Sequence, residues 1–190
     1  MNCDDIIVAG ISKDCASINA PVGADKDLIL VNYEDFDYAG TVDPLNREAD
    51  DTNNNIDGLT AIKLKQGAKQ YTFEGTDYSV IPSTIGEVKE TGDMWYVHSI
   101  GFIVYSKRAA DRRTLRALGN SRVIAITKDR STGLYELFGM EHGLKVGELS
   151  REYVGSENSN FYSVTIQTPD VAVVRESSLP ELALSIEVAE

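Results

Sequence analysis

Residues able to do chemistry are sparse in this chain, and their spacing assigns them little. Cys3 and Cys15 lie too far apart for a redox CxxC pair and match no zinc pattern. His98 and His142 have no neighbouring Cys, Asp or His at ligand spacing. His98 falls inside a long aromatic run, so it reads as a structural, inter-strand histidine. The acidic stretch DDTNNNIDG (50–58) invites a calcium reading, but no register puts oxygen ligands, glycine and a terminal glutamate where an EF-hand needs them. A looser site would use Asp50, Asp51 and Asp57; a solvated acidic loop is the expectation. GxSxG, Walker, GxGxxG and HExxH signatures are absent. The chain is therefore read as a non-enzyme with no cofactor, no metal and no catalytic residue.

The most distinctive cluster is basic. KRAADRRTLRALGN (107–120) carries Lys107, Arg108, Arg112, Arg113 and Arg116 in a chain of net charge −12. Its spacing predicts a helix capped by Ser106 and stopped at Gly119-Asn120. At 100° per residue Ala110, Thr114, Leu115, Ala117 and Leu118 share one side, and Arg108, Arg112, Arg113 and Arg116 share the other. Arginine suits bidentate pairing with carboxylate or phosphate. A membrane role fits poorly, because the apolar face is narrow. General DNA binding fits poorly too, because the whole chain is acidic. An acidic protein neighbour fits best, and the chain itself offers Asp43, Glu48, Asp50, Asp51 and Asp57.

The charge is layered along the sequence. Residues 1–60 hold 13 acids and 3 bases, residues 61–130 hold 7 and 12, and residues 131–190 hold 10 and 3. One copy's middle can therefore attract another copy's ends. No apolar run approaches the roughly 18 residues of a membrane span, and MNCDDIIVAG does not read as a signal peptide. The expectation is a soluble protein made in the cytoplasm, whose final location could be a particle assembled there.

The elements that position these residues are mostly strands. Alternating or β-rich runs occur at 28–33, 59–65, 70–75, 78–82, 94–106, 122–127, 134–140, 143–150 and 160–168. Gln66-Gly67-Ala68 reads as a hairpin turn between the second and third of these. Gly101 suggests a bulge. RVIAIT (122–127) reads as buried on both faces. The aromatics Trp95, Tyr96, Phe102 and Tyr105 read as core and sheet surface, with a glycan platform as the alternative. Residues 37–58 and 151–160 read as long loops, and the tail 176–190 as a short strand or a mobile end. One domain, 1–190, is expected. Its fold class is mainly β: a β-sandwich or small barrel with one flanking α-helix.

The order of these elements is itself informative. The stretch HSIGFIVYSKRAADRRTLRALGNSRVIAITKDRSTGLYELFGMEHGLKVGELS resembles structural proteins of tailed bacteriophages, especially those infecting Bacteroidetes. ISKDC, AIKLKQGAKQYTFEG, FGMEHGLKVGELS and SLPELAL are similar in style to that group. Strand, long loop, hairpin, long strand, single helix and closing strands resemble the tail-tube fold. The resemblance implies a virion subunit that forms a ring, sixfold for a tube, and touches neighbouring virion proteins. DNA would be cargo in its channel. A single-ring head–tail connector, neck or tail-completion protein is the alternative within that class; a glycan-binding β-sandwich module is the alternative outside it. The resemblance carries no catalytic residue.

Overall fold

The computed structural model describes residues 23–47, 58–90, 92–105, 108–153, 160–169 and 175–189. Among these residues ten strands make two sheets: β1 (Asp27–Asn32), β2 (Leu59–Leu64), β3 (Gln70–Glu74), β4 (Val80–Val88), β5 (Met94–Val104), β6 (Val123–Lys128), β7 (Tyr135–Phe138), β8 (Lys145–Tyr153), β9 (Asn160–Gln167) and β10 (Glu181–Val188). Sheet I has the order β2-β10-β7-β6-β1-β3, and sheet II the order β4-β5-β9-β8. Two short helical pieces, α1 (Tyr38–Thr41) and the longer α2 (Ala109–Asn120), complete the frame with two 3₁₀ turns. The expected mainly-β sandwich with a flanking helix is the observed architecture. No helix among the described residues is long and apolar enough to cross a membrane.

The core divides in two. Between the sheets, Leu28, Leu30, Val80, Ile100, Phe102, Ala125, Phe138, Val164 and Ile166 interdigitate, joined by Leu115 and Leu118 of α2. On the other face of sheet I, Val31, Phe36, Leu59, Ile62, Ile124, Ile126, Leu137 and Ala183 form a second cluster. A strand between two apolar environments needs no polar alternation. Val123 to Thr127 of β6 are accordingly all buried, as RVIAIT predicts.

The 66–68 turn is a correction. Ala68 N–H does donate to Lys65 O at 3.1 Å, but β2 and β3 do not pair; they stand at opposite edges of sheet I. Laid flat, those edges would lie about 24 Å apart at ~4.8 Å per strand. The link through residues 65–69 reaches only roughly 20 Å. Sheet I therefore curls around the second cluster, bringing its edges within reach. Residues 33–47 close the concave side: Asp37 N–H donates to Lys63 O at 3.0 Å and Lys65 N–H to Asp35 O at 2.9 Å. The part of the expected 37–58 loop within the described residues is thus a packed strap holding α1.

Other expectations shift in detail. β4 continues six residues past the expected end, to Val88, and β10 is an interior strand between β2 and β7. Gly101 sits in an unbroken register with β4 and β9. The bulge lies instead between Val146 and Glu148 of β8.

Candidate functional site

Three features carry the candidate chemistry: the α2 arginines, the His98 neighbourhood and the outer strands of the two sheets. The helix begins at Ala109, with Arg108 in the N-cap position and no side chain bonded to the cap. This corrects the Ser106 cap; Ser106 and Lys107 lie outside the described residues. Gly119 and Asn120 are themselves helical, and Ser121 is the C-cap. The buried stripe is narrower than periodicity predicts. Leu115 and Leu118 are buried, while Ala110, Thr114 and Ala117 are exposed, because α2 rests on the sandwich along one line only.

The arginine face does point to solvent: Arg108, Arg112, Arg113 and Arg116 are all exposed. Arg108 Nε lies 3.0 Å from Asp111 Oδ2. Arg112, Arg113 and Arg116 have no ion pair among the described residues. Arg112 sits in the first turn of the helix, where the macrodipole disfavours cations, and Arg113 and Arg116 lie beyond the reach of either end. Helix electrostatics therefore does not account for them. Of the acids expected opposite, Asp43 is described: its carboxylate accepts from Leu45 N–H at 2.9 Å and caps the strap's second 3₁₀ turn. That strap and α2 lie on opposite faces of sheet I, so Asp43 and the arginine face are separated within one chain. Glu48, Asp50, Asp51 and Asp57 lie outside the described residues, as do Cys3 and Cys15.

His98 is fully engaged. Gly139 N–H donates to its Nδ1 at 3.1 Å, which makes Nε2 the protonated nitrogen facing Ser178 O at 3.1 Å. Burial pushes the imidazole pKa down, against the Ser178 carbonyl and the Glu141 carboxylate. Beside it Glu176 is 0 % exposed. Its carboxylate accepts from Glu141 N–H at 2.9 Å and His142 N–H at 3.2 Å. Its backbone exchanges two bonds with Tyr96, at 2.9 and 3.0 Å. Burial pushes this carboxyl pKa up, against those two amides, and the nearby Glu141 carboxylate adds to the rise. Ser177 is bonded to Glu141 through its backbone and hydroxyl. These groups tie β5, the 139–143 turn and the segment before β10 together. Sequence reasoning missed Glu176: nothing local distinguishes it from other carboxylates, and only the tertiary pairing buries it. Among the described residues no three ligating side chains cluster as a metal site. The ring face of Trp95, which a sugar would need, has Lys89 Nζ 3.6 Å above its centroid.

Strand β4 carries several exposed apolar side chains. Among the described residues it is an edge strand bonded to β5 alone. Ile81 is 62 % exposed, Ile85 57 %, Val88 68 %, and Met94 across the hairpin 52 %. The bonds Ile103 N–H to Ser79 O and Lys89 N–H to Asp93 O fix the ladder's parity. Odd-numbered β4 residues bond β5, and even-numbered ones turn their backbone groups outward. Pro82 falls on that outward set and removes one donor from the free edge, as prolines in edge strands do. Thr84, Gly86 and Val88 keep outward N–H groups beyond it. The continuing alternation of Ser83-Thr84-Ile85 was the signal in the sequence for this half of the strand. At the other edge of sheet II, β8 is guarded by its bulge and by Lys145, Glu148 and Arg151.

The chain matches no protein-family model, no curated protein and no solved structure.

Proposed function

We propose that this chain is a structural subunit that assembles with copies of itself, a ring-forming virion protein of a tailed bacteriophage with a tail-tube-like sandwich. The observation that carries the reading is the β4 edge. A long edge strand with outward amides and exposed Ile81, Ile85 and Val88 is a template for strand addition by a neighbour. Burying each of those side chains contributes roughly 1–2 kcal/mol at their present exposure. The arginine face of α2 supplies the second contact, facing the acidic segments of an adjacent copy, Asp43 and Glu48 to Asp57 among them. Head-to-tail contacts between unlike surfaces close into rings or stack into tubes according to the rotation between copies. The sequence resemblance to phage virion proteins supplies the setting: a particle assembled in a bacterial cytoplasm, with DNA as cargo.

Negative-stain microscopy and solution mass test this directly. The purified protein is expected to form rings or stacked rings. Ile85→Lys with Val88→Lys should leave a folded monomer, as should Arg112→Glu with Arg116→Glu. A discrete ring that never stacks identifies the connector form. A wild-type protein that stays monomeric at high concentration overturns the reading.

A further inference from the structure

One end of the sandwich is fastened by side chains that titrate. The turn 139–143 carries the chain from β7 of sheet I to β8 of sheet II. The segment 176–178 leads into β10 of sheet I, yet Glu176 exchanges backbone bonds of 2.9 and 3.0 Å with Tyr96 of β5 in sheet II. The β9 register on β5 runs from Ser99 to Val104, so Glu176 takes the place beside Tyr96 that β9 leaves. The turn and the segment clasp each other reciprocally. The Glu176 carboxylate accepts from the N–H groups of Glu141 and His142, and the Glu141 carboxylate accepts from the N–H and hydroxyl of Ser177. His98 joins both sides: its Nδ1 accepts from Gly139 N–H, and its Nε2–H donates to Ser178 O.

His98 is the member that cannot change its charge without breaking the clasp. Its Nδ1 has one lone pair, and Gly139 N–H uses it. A proton on Nδ1 turns that acceptor into a donor, so two N–H groups face each other around a ring that is 1 % exposed. The neighbours from β7, β4 and the end of β9 are uncharged: the Phe138 ring edge, Thr84 and Thr168. The Glu141 carboxylate favours the imidazolium, and it also faces His142 Nε2 at 3.8 Å. Beyond it the Tyr33 hydroxyl donates to Glu141 O, Arg122 lies 5.3 Å from the Tyr33 ring, and Tyr38 senses both glutamates. We propose that the clasp is an acid-operated switch: protonation of His98 frees the turn 139–143 and the segment 176–178 from each other and from Tyr96, while both sheets stay folded. The backbone N–H and C=O of Tyr96 then become available to another strand. This inference does not depend on the assembly reading.

Amide hydrogen exchange on the full chain, corrected for the intrinsic effect of pH, tests it. His98→Gln offers an acceptor and a donor but takes up no proton. Between pH 7.5 and 5.5, opening at the amides of Gly139, Glu141, His142 and Ser177 is expected to rise about tenfold more in the native chain than in His98→Gln. That is the factor for a group that titrates near 6.5 when open and resists protonation when closed. Glu176 titrates with the opposite sign, and it does so in both chains, so it cancels in the comparison. At pH 5.5 the same amides should open at least about tenfold more often than those of β1 and β6, interior strands of sheet I. Glu176→Gln removes the opposing titration and keeps His98; it should show the rise by itself, which decides the matter if His98→Gln folds badly. An equal rise with and without His98 overturns the proposal. Clasp amides that open no more often than those of β1 and β6 also overturn it, because acid would then be unfolding the whole molecule.

Discussion

The side chain of Asn46 acts as a strand partner for Ala61. Its Oδ1 accepts from Ala61 N–H at 3.2 Å and its Nδ2 donates to Ala61 O at 2.7 Å. Nδ2 also reaches Thr41 O at 2.9 Å. Thr41 Oγ1 extends the same mimicry by accepting from Lys63 N–H at 3.0 Å. Two side chains of the strap thus close the edge of β2, whereas β3 at the other edge of sheet I bonds β1 alone among the described residues.

Asn46→Leu leaves the buried N–H and C=O of Ala61 without partners. The expected cost is about 2–4 kcal/mol, measured by urea unfolding. Asn46→Asp should cost more, because a carboxylate oxygen would face the carbonyls of Thr41 and Ala61. A loss below about 0.5 kcal/mol for both variants would show that the strap does not hold β2.

His98 should make stability fall in mild acid. Its folded pKa is depressed by burial, so the unfolded chain takes up a proton near pH 6.5 while the folded chain resists. The stability it contributes is present above that value and is lost as pH falls toward the folded pKa. The slope is at most about 1.4 kcal/mol per pH unit. Unfolding at pH 7.5, 6.5 and 5.5 should show this slope in the native chain and lose it in His98→Gln.

Glu176 has the opposite sign. Its folded pKa is raised above the ordinary glutamate value. Its contribution is fully present below the unfolded pKa and is lost as pH rises through the folded pKa. Relative to Glu176→Gln, the native chain should gain stability as pH is lowered from 7 toward 4.5. A difference that stays flat over that range would show that the buried carboxyl does not titrate there.

Two glycines should respond oppositely to alanine. Gly119 is helical, and a Cβ there meets nothing within 4 Å. Gly119→Ala should stabilise by about 0.5–1 kcal/mol. Gly143 has φ +68°, and a Cβ would lie 2.5 Å from Arg122 Cγ and 2.8 Å from a Tyr33 ring carbon. Gly143→Ala should cost about 1–3 kcal/mol from backbone strain, with the crowding added to it. Thermal unfolding of the two variants separates the predictions cleanly.

The sequence by itself determined the local conformations. Period-two alternation marks the strands, the unbroken apolar run of β6 marks a strand buried on both faces, and the change to a 3.6-residue period marks α2 with its arginines outward. These follow from short-range geometry: which side a side chain faces depends on its immediate neighbours in the chain. Tertiary structure alone decided which strands pair and what that pairing buries. A short turn after β2 predicts a hairpin, yet β2 and β3 end at opposite edges, because β10, more than a hundred residues later, takes the place beside β2. The same long-range pairing buries Glu176, brings Ser178 and Gly139 to His98, and leaves β3 and β4 at sheet edges among the described residues. Partners separated by such distances along the chain are selected by the burial of both faces of sheet I together, and no local pattern encodes that sum.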